Sequence, residues 1–408
     1  MTPGAAPTVV VVGTLDTKGV ELDFLRARLR EHGVDVVLVD CGVFEPQVEP
    51  DVSHAEVAAA AGADVAQLAA ANDRGAAVEA MARGAAEIVK RLHAEGRLDG
   101  VIGLGGSGNS SLATYAMRQL PVGVPKLMVS TVGSGDTRPY VGAVDVTMMY
   151  SVVDISGVNQ ISARIMGNAA GAIAGMAKAG VPEAGGERRL IGASMFGVTT
   201  PCVTRARERL EQLGYEVLVF HATGTGGQSM EALVRGGYLA GVLDTTTTEL
   251  ADELVGGVLS AGPDRLEAAG DVGLPQVVSL GALDMVNFGP RETVPPKFED
   301  RTLYVHNPTV TLMRTTSDEC RELGRQIGRK LSEAKGPTAL YVPLKGVSMI
   351  AVEGQPFHDA EADAALLAGL HETLGPHVEV HELDAEINDP AFADAMANRL
   401  HELIEEAQ

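Results

Sequence analysis

Glycines and small polar residues are concentrated in one short turn of the sequence, Gly103-Leu104-Gly105-Gly106-Ser107-Gly108-Asn109. Glycines allow the backbone to approach a ligand closely, and the free amides at the start of a helix attract anions. Ser107 and Asn109 add side chains that can hydrogen-bond a phosphate. The pattern therefore predicts a phosphate-binding turn, and the alternative interpretation is a tight turn made for packing alone.

A second turn, Gly13–Gly19, reads Gly-Thr-Leu-Asp-Thr-Lys-Gly and carries similar groups. The hydroxyls of Thr14 and Thr17 are suited to bind a phosphate or a ribose, and Lys18 would offset the phosphate charge. Asp16 would hold Mg²⁺ through water. The alternative is that Asp16 or Thr17 only caps the following helix, and the two interpretations are compatible.

A third turn, Ser130–Thr137, contains further glycines and hydroxyls. Each of the three turns follows a segment that is expected to be a parallel strand. All three would therefore meet at the carboxyl edge of one sheet, where α/β proteins bind ligands. The predicted nucleotide-binding residues are Thr14, Asp16, Thr17, Lys18, Gly105, Gly106, Ser107, Gly108, Asn109, Thr131, Gly133 and Gly135.

The spacing Gly103-x-Gly105-x-x-Gly108 also matches the dinucleotide fingerprint, but two features argue against NAD. The turn follows the third expected strand instead of the first. The next strand, Lys126–Ser130, ends without the acidic residue that would bind a ribose. The sequence therefore favours a mononucleotide over a dinucleotide.

Three residues in the second half have the chemistry of catalytic groups: Asp284, His306 as a general base, and Arg314. A lone histidine near a strand end is more often structural than catalytic. The turns Thr223–Ser229 and Asp244–Thr248 repeat the glycine and hydroxyl chemistry of the first half. Either they bind a substrate with anionic oxygens or they are inherited turns. No HExxH or CxxC motif is present, so the metal ligands are unknown.

The residues between these turns alternate between buried strands and amphipathic helices. Thr8–Val12 and Val34–Val39 are rich in β-branched residues, which is typical of strands buried on both faces. Strands that alternate with helices in this way predict right-handed crossovers and parallel sheets. The expected strands are 8–12, 34–39, 99–104, 126–130, 189–195, 215–221, 339–343 and 378–383, and the expected helices are 18–32, 73–94, 109–120, 201–213 and 390–405.

A polar, breaker-rich segment at 181–189 divides the chain. It predicts an N-terminal nucleotide-binding subdomain at 1–182 and a C-terminal subdomain at 188–408 on the substrate or partner side. The expected fold is α/β, with two Rossmann-like parallel-sheet subdomains and a cleft between them. The two halves also contain similar segments in the same order, 98–103 with 239–244 and 124–129 with 274–279.

The formal net charge of −22, from 32 basic and 54 acidic residues, argues against nucleic acid as a partner, because such a surface repels the phosphate backbone. Cys41, Cys202 and Cys320 are odd in number and far apart, which indicates a reducing compartment. The N-terminus lacks the pattern of a signal peptide, and no apolar stretch approaches the length of a membrane span. The sequence predicts a cytoplasmic protein without membrane association.

Four motifs together resemble a known family: Val12–Glu21, Gly103–Asn109, His306–Thr316 and Lys345–Ser348. They are similar to the ATP-binding domain named after a tomato mosaic virus resistance protein. The resemblance covers nearly the whole chain and implies two Rossmann-like subdomains, ATP bound by the amino-terminal one, and a homodimer. The ligand-binding role carries over where the motifs match, which is at Thr14, Asp16, Thr17, Lys18 and the 105–109 turn.

The sequence thus predicts an ATP-binding protein, with ATP and Mg²⁺ as candidate cofactors. One hypothesis is an ATP-dependent enzyme of phosphoryl-transfer or ligase type. It would act on a small carboxylated metabolite between the two halves, with Asp284, His306 and Arg314 as catalytic groups. The alternative is a non-catalytic nucleotide-binding or regulatory dimer, in which ATP stabilises the protein and no product forms. A nicotinamide-dependent oxidoreductase ranks third.

Overall fold

The computed structural model describes residues 6–180 and 188–407. The chain divides into two compact units, Met1–Gly185 and Gly186–Gln408. Most of the segment expected to divide the chain, residues 181–187, lies outside the described residues. Each unit is built on a parallel sheet with helices, which confirms the α/β class and the two Rossmann-like subdomains.

Within residues 6–180 the sheet has five parallel strands in the order β2-β1-β3-β4-β5. The strands are β1 Thr8–Gly13, β2 Asp35–Asp40, β3 Gly100–Gly105, β4 Lys126–Ser130 and β5 Thr147–Tyr150. The helices are α1 Leu15–Glu31, α2 His54–Ala60, α3 Val65–Ala71, α4 Arg74–Ala94, α5 Ser107–Met117, α6 Arg138–Val141 and α7 Gln160–Ala179.

The valine run of β1 shows why this sheet has helices on both faces. Successive side chains of a strand point to opposite faces. Val10 and Val12 therefore pack in the core beneath α4 and α5, whereas Val9 and Val11 pack in the core beneath α1 and α7. All four valines are fully buried. This arrangement leaves the carboxyl ends of the strands as the place where the turns are gathered.

Within residues 188–407 a second parallel sheet has the order β14-β13-β9-β8-β6-β7, and a separate antiparallel sheet has the order β10-β12-β11. The strands are β6 Leu190–Met195, β7 Glu216–His221, β8 Gly241–Thr246, β9 Gln276–Gly281, β10 Met285–Phe288, β11 Leu303–Asn307, β12 Val310–Arg314, β13 Thr338–Pro343 and β14 Glu379–Leu383. The helices are α8 Thr200–Gln212, α9 Thr225–Arg235, α10 Thr248–Val255, α11 Ala268–Val272, α12 Ser317–Ser332, α13 Ala360–Thr373 and α14 Pro390–Glu406.

The two parallel sheets share one strand order. In each unit the first strand lies between the second and the third, and the fourth strand follows the third. The segments that resemble each other in sequence form corresponding strands, β3 with β8 and β4 with β9. In such sheets the order reverses beside the first strand, and ligands bind outside the carboxyl ends at that point. The reversal lies between β1 and β3 in the first unit and between β6 and β8 in the second.

Candidate functional site

A pocket of about 510 Å³ opens in the first unit at the point where its strand order reverses. The turns after β1 and β3 supply polar groups to this pocket, through Thr14, residues 16–18 and residues 106–109. Helices α3 and α4 supply an apolar wall that includes Leu68, Val78 and Met81. The volume lies within the range of small-molecule sites in proteins. The pocket therefore combines a polar end with an apolar side.

The amino-terminal end of α5 faces this pocket. Its N-cap is Gly106, which has no side chain, whereas α2, α3, α4 and α7 are each capped by a side-chain oxygen. In the part of the chain that the structure describes, nothing accepts a hydrogen bond from the amides of Ser107, Gly108 and Asn109. These donors and the positive end of the helix dipole favour an anionic ligand at this position.

Arg74 is the cation nearest to that helix end in the pocket lining. Its Nη2 lies 3.4 Å from the position that a Cβ atom on Gly108 would occupy. The residue is exposed, and its side chain makes no hydrogen bond or ion pair with the described residues. Sequence reasoning did not identify Arg74. A signal was available, because a basic residue in the first turn of a helix opposes the helix dipole and suggests another role.

The residues predicted in the turn after β1 line the pocket, but their side chains have protein partners. The hydroxyls of Thr14 and Thr17 lie 2.6 Å apart and share a hydrogen bond. One oxygen of Asp16 accepts the amides of Val43 and Phe44, and its other oxygen is buried without a partner among the described residues. These bonds join the turn after β1 to the loop after β2.

Lys18 also lines the pocket, and its ammonium donates to the carbonyl of Ile155. The backbone of Lys18 is not helical, with φ −129° and ψ 21°, so α1 is kinked at this residue. The helix predicted to begin at residue 18 therefore has an additional turn at residues 15–17, and the kink brings Lys18 to the pocket.

A buried carboxylate already occupies the start of α1. Asp40, at the end of β2, accepts the amides of Leu15 at 3.0 Å and Gly42 at 2.8 Å through one oxygen. His54 lies 3.1 Å from its other oxygen. Burial raises the pKa of Asp40 above its usual value. Because Asp40 accepts the amide of Leu15 and the Thr14 carbonyl accepts those of Thr17 and Lys18, the open end of α5 is the better position for a phosphate.

The other predicted binding residues divide into two groups. Gly106, Ser107, Gly108 and Asn109 line the pocket. Gly105 stands behind them, with φ +152° and with Asn109 so close that a Cβ atom would lie 2.5 Å from the Asn109 Cβ. Asn109 uses its amide to donate to the carbonyl of Leu104 at 3.1 Å and so holds the turn in shape.

The third predicted turn lies beside the pocket. Thr131 donates its amide to the carbonyl of Gly105 at 3.2 Å, and Gly133 packs against the backbone of Tyr150. Thr131, Gly133 and Gly135 do not belong to the described lining of the pocket. Their role in binding stays a prediction.

The structure brings two of the three predicted catalytic residues of the second unit together. Asp284 and Arg314 interact electrostatically, and burial raises the pKa of Asp284 to about 6. Asp284 accepts the hydroxyl of Ser348 at 2.8 Å, and Arg314 donates to Asp363 at 2.9 Å. His306 is exposed on β11, further along the antiparallel ladder toward the hairpin turn. Asp284 and Arg314 are both buried, so their catalytic role stays a prediction.

The glycine-rich turn at 223–227 holds a carboxylate of the protein itself. Glu249 accepts the amides of Gly224 at 2.7 Å and Gly227 at 3.1 Å, at the start of α9. Arg265 donates to the same carboxylate at 2.6 Å and also contacts Asp244. This turn therefore has the anion-binding geometry of a phosphate turn, and Glu249 fills it. The corresponding reversal point is closed too, because Thr199 and Thr246 are buried there and share a hydrogen bond of 2.7 Å.

Asp252, inside α10, is a second buried acid in this region. It accepts the amides of Leu259 and Asn287 through one oxygen, each at 3.1 Å. The side-chain amide of Asn287 donates to its other oxygen at 2.6 Å, while Oδ1 of Asn287 is buried without a partner. Burial raises the pKa of Asp252 to about 7. Protonation of Asp252 and rotation of the Asn287 amide would satisfy that orphaned oxygen.

This raised pKa makes stability depend on pH, and the dependence can be tested with Asp252→Asn. A carboxyl whose pKa is higher in the folded state stabilises the fold at low pH and loses that contribution as the pH rises to 7. The free energy of unfolding of the variant should therefore rise relative to wild type with pH. The slope should be at most about 1.4 kcal/mol per pH unit between pH 4 and 7. Urea unfolding at several pH values measures this slope. Asp264→Asn, which replaces an exposed acid, is the control and should show no such slope. A pH-independent difference for Asp252→Asn would refute the raised pKa.

Two family models together match almost the whole chain. The N-terminal domain of the uncharacterised protein family UPF0261 matches residues 7–182, and its C-terminal domain matches residues 188–404. A UPF0261 protein of Clostridium tetani is 56% identical over 97% of this chain and 99% of its own length. The ToMV resistance protein Tm-1(GCR237) of Solanum lycopersicum is 41% identical over 98% of this chain and 56% of its own length.

Among solved structures, UDP-N-acetylglucosamine 2-epimerase from Rickettsia bellii aligns with 67% of this chain and 79% of that chain. The identity is 10% and the TM-score is 0.23. A score of this size supports no inference about fold or activity. Among the described residues, no helix has the length and apolar character needed to cross a membrane.

Proposed function

The chain belongs to the family UPF0261, and we propose that its first unit binds a nucleoside phosphate, with ATP as the ligand. The observation that carries this proposal is the uncapped end of α5, whose free amides face a pocket of about 510 Å³ beside Arg74. The phosphates would accept hydrogen bonds from the amides of residues 107–109 and pair with the guanidinium of Arg74. The resemblance of the sequence motifs to an ATP-binding domain supports the same ligand.

The apolar side of the pocket suits the base of a nucleotide. Leu68, Val78 and Met81 form a wall of aliphatic and thioether groups. Phe44 also lines the pocket, and 57% of its surface is exposed. An exposed phenylalanine at a pocket is available to stack on a flat base, which would bury both surfaces. The polar turns and this wall would thus bind the two ends of one mononucleotide.

The pocket lining carries more acidic than basic side chains. Asp16, Asp73 and Asp154 line it, against Lys18 and Arg74. Mg²⁺ would therefore reduce the repulsion of the phosphates when it enters with ATP. The sequence assigned Mg²⁺ to Asp16, but that carboxylate accepts two amides and its free oxygen is buried. Asp16 does not fit a magnesium ligand, and we assign no protein ligand to the ion.

What the bound ATP would be used for is a separate proposal. An ATP-dependent enzyme acting on a small carboxylated metabolite and a non-catalytic regulatory dimer both include the same nucleotide pocket. Product formation in a panel of carboxylated metabolites with ATP would distinguish them. The homodimer and the cytoplasmic location stay predictions from the sequence.

Gly108→Val tests the pocket directly. A valine at this position would put its Cβ 3.4 Å from the Arg74 guanidinium and its methyl groups at the end of α5. We expect the Kd for ATP, measured by calorimetry with Mg²⁺, to rise at least tenfold, because phosphate and side chain compete for the same space. Stability should not fall, because valine favours a helix more than glycine does.

Gly175→Val is the matched control for this substitution. Gly175 is a helical glycine of α7, and apart from its chain neighbours and the backbone of its own helix no described atom lies within 4 Å of its Cβ position; it lies outside the pocket. It should leave the Kd for ATP unchanged. Unaltered ATP binding by Gly108→Val, or no ATP binding by the wild-type protein, would overturn the proposed function.

A further inference from the structure

A loop that follows the last strand of the first unit forms part of the pocket wall. We call residues Ser151–Val158 the strap, because they run from the end of β5 to Asn159, the N-cap of α7. Asp154, in the middle of the strap, lines the pocket. A change in the pocket can therefore reach the strap directly.

Two side chains of α1 tie the strap down. Lys18 donates its ammonium to the carbonyl of Ile155. Glu21 accepts the amide of Gly157 at 2.7 Å, and only 4% of Glu21 is exposed. These two bonds hold the second half of the strap against α1, the helix that follows β1.

The backbone of the strap is strained at Val152. This residue has φ +62°, a left-handed conformation that a β-branched side chain rarely adopts. Its side chain is 62% exposed, so burial does not compensate for the strain. A non-glycine residue in this conformation costs about 1–2 kcal/mol. The hydrogen bonds between Ser151 and Val153, on either side of Val152, and the tethers of the strap together hold it there. The side chain of Ile155 is anchored in the core beneath α1 and α7, so the part of the strap that would relax if the Lys18 tether were lost is the strained turn at Val152.

Lys18 is both a tether and a pocket residue. Its present acceptor is a neutral carbonyl, and a charged phosphate oxygen is a stronger acceptor for an ammonium. We propose that a nucleotide phosphate replaces the Ile155 carbonyl as the acceptor of the Lys18 ammonium. The strap then loses this tether and relaxes at Val152. This inference rests on the proposed nucleotide site. It gives the protein a segment whose conformation depends on whether nucleotide is bound.

Hydrogen exchange of the strap amides tests this coupling on the full-length chain. In the wild-type protein, saturating ATP with Mg²⁺ should increase exchange at residues 152–158. In Lys18→Met, exchange should already be high without ATP, and ATP at a concentration that saturates the variant should not increase it further. Lys178→Met is a matched control, because Lys178 also donates to a backbone carbonyl, that of His32, but lies outside the pocket. Its strap should respond to ATP like the wild type.

Calorimetry on the same samples separates the two proposals. If ATP binds and the strap does not become more mobile, the coupling is refuted and the nucleotide site stands. If ATP does not bind to the wild-type protein, both are refuted. A strap that is released in Lys178→Met as strongly as in Lys18→Met would also refute the specific role of Lys18.

Val152→Gly provides an independent measurement. Glycine adopts the left-handed conformation without strain. The tethered strap of the variant would therefore store no strain energy, and its release would yield no free energy to support ATP binding. Part of the ATP affinity of the wild type comes from relief of that strain, and the Kd should therefore rise about fivefold. Val158→Gly, at another exposed valine of the strap, should have a smaller effect. A Kd equal to wild type in Val152→Gly would refute the contribution of strain.

Discussion

Replacing Arg265 with methionine should destabilise the second unit by about 3–5 kcal/mol, the loss expected when one member of a buried ionic cluster is removed. Only 1% of Arg265 is exposed. Its guanidinium contacts Asp244 at 2.5 Å and Glu249 at 2.6 Å, and Glu231 lies 3.6 Å away. Burial raises the pKa values of Glu231 and Glu249 even with the arginine present. Without it, Asp244 and Glu249 would lose their only cation among the described residues, and Glu231 would keep only the half-exposed Arg235.

Unfolding in guanidinium chloride, followed by circular dichroism, measures this loss of stability. Arg399→Met is the matched control. Arg399 also contacts three acids, Glu379, Glu402 and Glu406, but these acids are 36–60% exposed. Exposed ion pairs contribute about 0–1 kcal/mol each. We expect Glu249→Gln combined with Arg265→Met to recover part of the stability, because one uncompensated charge is removed. Equal losses of unfolding free energy in Arg265→Met and Arg399→Met would contradict the role of burial.

The second large effect is expected at Arg74. Arg74→Ala should raise the Kd for ATP about 10- to 100-fold, because a hydrogen bond to a charged group contributes about 1.5–3 kcal/mol. The side chain is exposed and has no described protein partner, so its removal should leave the free energy of unfolding within about 0.5 kcal/mol of wild type. Calorimetry and urea unfolding on the same samples measure the two quantities.

Arg83→Ala is the matched control for Arg74→Ala. Arg83 is an exposed arginine of the same helix, and it pairs with Glu79 outside the pocket. Its removal lowers the net charge of the protein by the same amount, so a general electrostatic effect would appear in both variants. A loss of ATP affinity in Arg83→Ala as large as in Arg74→Ala would show that the effect of Arg74 is not local.

The buried strands could be predicted from sequence because their residue types leave little alternative. Lys126–Ser130 is a strand at the expected bounds, and the predicted strand 8–12 is β1, one residue longer. Strands of a parallel sheet are covered on both faces, so they are short apolar runs bounded by glycines and polar turns. The antiparallel strands β10, β11 and β12 were not predicted. In β11 three of the five residues are exposed, which weakens the apolar signal.

The pocket was predicted in part, and the missing part depends on contacts between distant segments. The turns after β1 and β3 have their own glycine and hydroxyl signatures. Arg74 comes from another helix, and only the packing of α4 beside α5 places it near Gly108. The pairing of Asp40 with Leu15, across 25 residues, likewise has no local signature. Sequence reasoning therefore located the glycine turns but did not distinguish filled helix ends from open ones.

The carboxylate of Glu249 at the start of α9 acts as a permanently bound competitor. A group attached to the same fold has an effective concentration far above that of any dissolved metabolite. A free phosphate or carboxylate would have to displace Glu249 from two amides and from Arg265 at once. The glycine turn of the second unit is thus occupied by its own chain at every ligand concentration in a cell. Two turns of similar composition in one protein therefore differ in availability, and a search by glycine motif alone would count both as binding sites.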